Sequence, residues 1–307
     1  MKLYNDFKIF DNNNKHTVVS IGMFDSVHLG HQSVLNKVKS ISKEYNVESV
    51  VITFANSPAI FFQNKSSNEF IFSIEDKIEQ LENFEIDHLI ILPFDEFIAS
   101  LYAKVFVEDI LIKYLNVSHL VLGYDNHFGK GREGSVNYIH TNFDAKIDAF
   151  SVEAVQINAE VVSSSIIKQY LQKGEMLSVF AFLGRNYYLK GEVVKGKQLG
   201  RQIGFKTANI QFDMNLFVPS FGVYAVKVIL NDKEYLGVCN LGIRPTIIDD
   251  NQINVETHLF DFDREIYGSV IRIEFIKKIR DEKKFNSIDE LKLQIQTDVE
   301  SARFVLA

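Results

Sequence analysis

Hydrophobic periodicity changes character once along this 307-residue chain, near Phe182, and that change calls for two folding units rather than one. Before it, β-branched apolar runs alternate with stretches of helical spacing. Residues 17–22 read as a strand ending in glycine, and residues 31–45 then put Val34, Leu35, Val38, Ile41 and Tyr45 on one helical face. Strands over 50–54, 88–92 and 119–123 alternate with helices over 74–84 and 103–115. A late helix over 163–172 has Ser163 or Ser164 at its start and Gly174 past its end. This β-α-β-α rhythm predicts an α/β domain with a parallel sheet and helices on both faces. After Phe182, short strand-like runs over 187–194, 222–230, 235–240, 254–260 and 269–276 are separated by Gly, Asn and Asp, which predicts an antiparallel sheet or small barrel. A helix from about Ile288 closes the chain, with Ser287 and Glu290 as a capping box and Leu291, Ile295, Val299 and Ala302 as its apolar stripe. The expected domains are 1–182 and 183–307.

Composition narrows the functional classes. A hydrophobic fraction of 46% and a charged fraction of 24% suit a globular protein and oppose extended disorder. The net charge of −7 gives no global field for nucleic acid or anionic membrane, so any phosphate the protein binds must be held locally, by backbone N–H groups and a few placed cations. One cysteine, Cys239, leaves no internal disulfide and fits a reducing compartment. No apolar run has signal-peptide or membrane-helix length, so the expectation is a cytoplasmic protein, monomeric or weakly self-associating.

The first chemical signal is Gly22-Met23-Phe24-Asp25-Ser26-Val27-His28-Leu29-Gly30-His31, where the first long strand turns into the first helix. Gly30 lets backbone approach a phosphate, the helix N-terminus supplies N–H donors, and His28 and His31 can donate to phosphate oxygens. The same residues also serve as ordinary helix caps. Gly123-Tyr124-Asp125 ends a later strand and leads into Phe128-Gly129-Lys130-Gly131-Arg132-Glu133-Gly134. Ligands bind beyond the C-terminal strand ends of parallel sheets, so this loop should face the crevice of His28 and His31. Ser164, Ser165 and Lys168 open the late helix with groups suited to an anion, or with a plain cap.

The second signal is a basic stretch from Gly191 to Asn209 punctuated by Gly191, Gly196, Gly200 and Gly204, with Arg201 inside it. Such spacing can fold into a phosphate-binding nest or a flexible hairpin. Thr207 and Asn209 offer neutral oxygens of the kind that hold Mg²⁺ on ATP phosphates. Downstream, Val255, Thr257 and Leu259 share one strand face while Glu256, His258 and Phe260 share the other. Glu256 is therefore a solvated charge or a base aimed into a site.

The first of these series resembles the HxGH nucleotidyltransferases and, within them, the FMN adenylyltransferase module of bacterial flavin synthases. That family carries GxFDGxHxGH, TFxPHP, GxDFxFGxxxxG and SSTxIR in this order; the second motif stands here as Thr53-Phe54-Ala55-Asn56-Ser57-Pro58. The second series is similar to riboflavin kinase, with its GxVxxGxxxGRxxGFPTAN loop, its PxGVYxV strand (Pro219 to Val226 here), NxGxRPT (Asn240 to Thr246), VExHLxDF (Val255 to Phe262) and RxExxF (Arg280 to Phe285). The resemblance implies a Rossmann-like nucleotidyltransferase domain followed by a riboflavin-kinase-like barrel. It implies that riboflavin and ATP give FMN, and that FMN and ATP give FAD and pyrophosphate. It also implies roles. Gly22, Phe24, Asp25, Gly30, Ser164, Ser165 and Lys168 would serve ATP in the first module, and Gly123, Asp125, Phe128 and Gly129 the flavin or nucleotide. Glu256 would be the general base of the kinase, Thr207 and Asn209 would hold Mg²⁺ and phosphates, and Gly191, Gly196, Gly200, Arg201 and Gly204 would line a flap. Asn240, Arg280, Glu282 and Phe285 would contact the flavin.

Six positions depart from the family pattern: Ser26 for Gly, Ser57 for His, Asn126-His127 for Phe-Arg, Lys168 for Arg and Lys206 for Pro. Arg to Lys keeps the charge but loses the planar fork for phosphate. These changes motivate an alternative, a riboflavin kinase with a degenerate N-terminal scaffold. A second alternative, a non-catalytic flavin-sensing or RNA-binding protein, sits poorly with the negative net charge.

Overall fold

A computed structural model of the chain describes residues 1–11, 14–63, 70–196, 204–243 and 253–307. The chain divides into two compact units, Met1–Ser164 and Ser165–Ala307.

The first unit is a six-stranded, wholly parallel sheet. Its strands are β1 (Lys2–Tyr4), β2 (Thr17–Ile21), β3 (Glu48–Phe54), β4 (His88–Leu92), β5 (Val117–Gly123) and β6 (Asp148–Val152), in the order β1-β4-β3-β2-β5-β6. The central strands are near-continuous apolar runs because both faces are covered, and Val18, Val19, Val50, Val51 and Ile52 are wholly buried. Helix α1 (Leu29–Tyr45) buries Val34, Leu35, Val38 and Ile41, four of the five residues assigned to its inner face; Tyr45 is exposed. The other helices are α2 (Pro58–Gln63), α3 (Ile74–Glu82), α4 (Glu96–Ser100), α5 (Ala103–Val105) and α6 (Val136–Phe143). The helix expected over 103–115 is α5 running straight into a π-helical stretch, Phe106–Ile112. A two-stranded ribbon, β7 (Gln156–Ile157) with β8 (Glu160–Val161), follows the sheet. From β2 the chain winds outward through β3 to β4, then returns to place β5 on the other side of β2. The β2/β5 boundary is thus a topological switch point, where strand-end loops diverge and leave a crevice.

The second unit begins inside α7 (Ser164–Lys173), at Ser165, and continues through α8 (Met176–Leu183) into a closed barrel. Its strands are β9 (Tyr187–Val194), β10 (Ala208–Gln211), β11 (Gly222–Leu230), β12 (Lys233–Ile243), β13 (Ile253–Leu259) and β14 (Val270–Arg280). All are antiparallel, in the cyclic order β10-β13-β12-β11-β14-β9. Tyr187, Tyr224, Val255, Thr257, Ile273 and Phe275 are buried, and small barrels fill their interiors with such side chains. Helix α9 (Ile288–Leu306) lies on the outside. Ser287 caps it, accepting from Glu290 N at 3.1 Å as the sequence predicts, while the Glu290 carboxylate accepts from Asn286 N at 3.1 Å, one residue before the N-cap, rather than from Ser287 N as in a capping box. Its Ala302 and Val299 pack with Val223, Ala225, Val238 and Phe260 of the barrel wall.

Candidate functional site

In the first unit, the turn from β2 into α1 brings the HxGH residues to the switch point. His28 is the N-cap of α1, in extended geometry, and its Nδ1 accepts from His31 N at 3.1 Å. With Nδ1 an acceptor, the proton of a neutral His28 is on Nε2. The two imidazoles stack, with centroids 3.6 Å apart and planes 10° from parallel. Gly30 lies beneath this stack: a Cβ there would stand 3.1 Å from His28 Cε1, a tight contact that the ring would have to relieve by shifting a few tenths of an ångström. The turn is strained. Phe24 (φ 46°) and Val27 (φ 42°) adopt left-handed backbone that costs a residue with a Cβ about 1 kcal/mol or more. Asp25 is buried and accepts from Ile71 N at 3.0 Å; Ser26, in the family's glycine position, is buried with its hydroxyl 3.3 Å from that of Ser164. Phe24 packs in the core with its ring against His31.

A cavity of about 230 Å³ opens here, lined by His28, Gly30, His31, Val34, Gly123, Tyr124, Asp125, Val152, Glu153, Ala154, Val155, Val162, Ser163 and Ser164. The structure therefore brings His28, His31, Gly30, Gly123, Asp125 and Ser164 together. Phe128 and Gly129 lie elsewhere: Phe128 is buried against Phe106, and Gly129 sits where a Cβ would meet the backbone of Ala103. Asn126 donates from its side chain to the carbonyl of Ile21, lacing the loop after β5 to the end of β2. Ser165 and Lys168 belong to the second unit, where the Lys168 ammonium lies 5.8 Å from the Phe217 ring centroid.

Sequence reading passed over Lys77, on α3, which is 2% exposed. Its ammonium donates to Met23 O (3.0 Å), Phe54 O (3.1 Å) and Thr53 Oγ1 (3.4 Å). Burial pushes it down to about 8, with the Asp25 carboxylate opposing the shift. The available signal was its position: Lys77 falls between Ile74, Ile78 and Leu81 at i, i+3, i+4, i+7 spacing, inside the apolar stripe.

In the second unit, strand register assembles the site. Glu256 on β13 pairs with Asn209 on β10 and with Asn240 on β12. Opposed residues of antiparallel strands share a face, so the three side chains form a row across three strands. Val255, Thr257 and Leu259 point into the packed barrel; Glu256 is on the outer face, half-buried, accepting from Asn254 Nδ2 at 2.9 Å. Glu256 lines a cavity of about 300 Å³ with Phe205, Thr207, Val223, Val238, Asn240, His258, Arg280, Glu282, Lys283, Phe285, Leu291, Ile295 and Asp298. A second cavity, of about 110 Å³, is lined by Val193, Lys206, Thr207, Ala208, Leu259, Phe262, Asp263, Arg264, Glu265, Ile266 and Tyr267. Thr207 lines both.

Asn209 is buried with its amide over Gly196, where a Cβ would be 2.5 Å from Nδ2. Gly191 lies in β9 against the Gln211 carbonyl, and Gly204 is in a positive-φ turn. Gly200 and Arg201 lie outside the described residues, as does the Arg244-Pro245-Thr246 part of the NxGxRPT turn. Lys206 pairs with Asp263, and its carbonyl accepts from His258 Nδ1 at 2.7 Å. Arg280, expected on the flavin, is gripped by Asp298 of α9 through two bonds, Nε to Oδ1 at 2.9 Å and a terminal N–H to Oδ2 at 2.7 Å. Asp298 is 3% exposed and also accepts from Gln294. It too sits within an apolar stripe, one turn from Ile295 and Ala302 and two turns from Leu291, which was its signal in the sequence.

Residues 10–166 match the FAD synthetase family model and residues 183–306 the riboflavin kinase model. A bifunctional riboflavin kinase/FMN adenylyltransferase of Bacillus subtilis is 39% identical over 93% of this chain and 91% of its own length. The chain belongs to the bifunctional riboflavin kinase/FMN adenylyltransferase family. The relative from Haemophilus influenzae, with the same description, is 40% identical over 93% of this chain and 92% of its own. A crystal structure described as a macrolide-efflux protein from Streptococcus pneumoniae matches with a TM-score of 0.90 and 29% identity, covering 98% of both chains. Among the described residues, no helix is long and apolar enough to cross a membrane. Both enzymatic modules of the family are present, one for riboflavin to FMN and one for FMN to FAD, and neither the family matches nor the relatives support the kinase-only alternative.

Proposed function

We propose that the two steps are divided between these cavities, with Glu256 the base of the kinase and His28 and His31 the phosphate ligands of the adenylyltransferase. The proposed functional domains are 1–182 and 183–307, a division supported by family matches over residues 10–166 and 183–306. The observation that carries the reading is the Asn209–Glu256–Asn240 row, whose members Glu256 and Asn240 line the 300 Å³ cavity.

In the kinase, Val223, Val238, Phe285, Leu291 and Ile295 offer apolar walls to the flavin ring, with Asn240 and Glu282 as polar contacts. The smaller cavity takes the adenine end of ATP beside Tyr267 and Phe262. Thr207, common to both, then marks where the γ-phosphate meets the riboflavin 5′-hydroxyl. Glu256 accepts the hydroxyl proton as oxygen attacks the γ-phosphorus, and ADP leaves. The donor set suits magnesium: Thr207 and Asn209 present neutral hard oxygens, and the amide of Asn209 is backed by Gly196. Magnesium, when bound, neutralises charge between the phosphate oxygens.

In the adenylyltransferase, a phosphate oxygen of FMN attacks the α-phosphorus of ATP and pyrophosphate leaves; no protein nucleophile or proton acceptor is required. Nε2–H of His28, the first turn of α1 and the Ser164 hydroxyl supply donors to the charge that develops. The protein works as a monomer or weak homo-oligomer in this reading. The substrates are small molecules, nucleic acid has no part at a net charge of −7, and dependence on ATP suits a cytoplasmic setting.

The test is a pair of variants assayed for both products. E256Q should lower FMN formation by about 1000-fold or more and leave FMN-to-FAD conversion within about twofold. H28A should do the reverse, losing on the order of 100-fold in FAD formation. Equal damage to both activities by either variant in folded protein overturns the assignment.

A further inference from the structure

We propose that Lys77 is a positioning residue for adenylyl transfer: from beneath the sheet's C-terminal edge it fixes the Met23–Val27 turn, and through it His28. The inference rests on the reading of the β2/β5 cavity given above. Three features point to it. The Met23 carbonyl receives two buried donors, Thr53 Oγ1 at 2.8 Å and Lys77 Nζ at 3.0 Å. That carbonyl immediately precedes Phe24, the first of two left-handed residues with side chains in a turn of seven. Strained backbone of this kind persists only where surrounding contacts over-determine it. Lys77 also holds Phe54 O at the end of β3, so one ammonium ties the ends of two adjacent parallel strands.

The rest of the turn is held from the same segment: Asp25 accepts from Ile71 N, three residues before α3 begins. Lys77 does not line the cavity, and its ammonium bonds to Met23 of the turn and to Thr53 and Phe54 of β3. Its effect reaches the reacting groups through backbone, by fixing where α1 starts and hence where Nε2 of His28 points. At an acidity of about 8 it is still mainly an ammonium at neutral pH and donates to all three acceptors together.

The experiment is a double-mutant cycle on the full chain, with K77M and H28A made singly and together. FAD formation from FMN and FMN formation from riboflavin are measured on every protein. K77M should lower kcat for FAD formation on the order of 100-fold with KM for FMN and ATP little changed. Riboflavin kinase kcat on the same molecules should stay within about twofold, which reports intact folding. In the H28A background, K77M should cost less than about threefold more, because the residue through which it acts is gone. Three results overturn the inference: full FAD formation by K77M, equal loss of both activities, or the same large factor with and without His28. An H28A protein that still makes FAD normally would instead overturn the adenylyl-transfer reading. If K77M does not fold, K77Q goes through the same cycle with the same criteria.

Discussion

Lys77 enters the fold as an ammonium in a place that disfavours charge. Its ordinary value of 10.5 applies to the unfolded chain, against about 8 in the native one. Between those limits the unfolded state binds the extra proton, so the contribution of this group to stability rises as pH passes upward through 8. Urea unfolding of the wild type, referenced to K77M, should therefore gain about 2 kcal/mol between pH 7.5 and 9.5, with Asp25 the charged group facing it. A flat difference would mean the lysine is not buried as charge. Cys239 gives a second residue-scale test. It is wholly buried on β12, and burial pushes its thiol up to about 12. A chromogenic disulfide at pH 8 should react with it only on the timescale of unfolding. Rapid stoichiometric labelling of the native protein would contradict this packing.

At the scale of the element, α9 carries more of the kinase site than its N-cap suggests. Asp298 on this helix holds Arg280 at the end of β14, and the pair pins the wall formed by Leu291 and Ile295 against the barrel. D298A should leave the guanidinium without its counter-ion, cost about 3 kcal/mol in the unfolding of the second unit, and raise KM for riboflavin more than it lowers kcat. Unchanged KM with lost stability would confine the pair to a structural role. The long periodic elements, including α1, α3, the central strands and α9, were legible because one face of each is uniformly apolar. Strand β1 was not, being three mostly exposed residues added to an edge, too short to show a period. Strand β10 was not, because four residues beside a glycine-rich stretch read as loop. Lys77 and Asp298 were hidden for a different reason. A charge on an amphipathic helix is normally solvated, and only its place within the stripe separates a buried one. The motif residues His28, His31, Thr207, Asn240 and Glu256 were legible by type, but their meeting depends on strand order and register, which no local pattern contains.

For the whole molecule, two chemistries share one chain, and the product of the second unit is the substrate of the first. Each cavity is lined within its own compact unit, and FMN is small and soluble. Mixing E256Q with H28A should then restore riboflavin-to-FAD synthesis that neither protein performs alone, at a rate that grows with enzyme concentration. No FAD from the mixture would mean that FMN does not leave the chain on which it is made.

The row Asn209–Glu256–Asn240 has one more implication. Side chains alternate along β13, so sliding this strand by a single position would turn the carboxylate into the filled interior and bring Val255 or Thr257 out in its place. No partly slipped barrel keeps a weakened base. Phosphorylation of riboflavin is thus an all-or-nothing signature of correct closure, and a damaged preparation should contain fewer working molecules rather than slower ones.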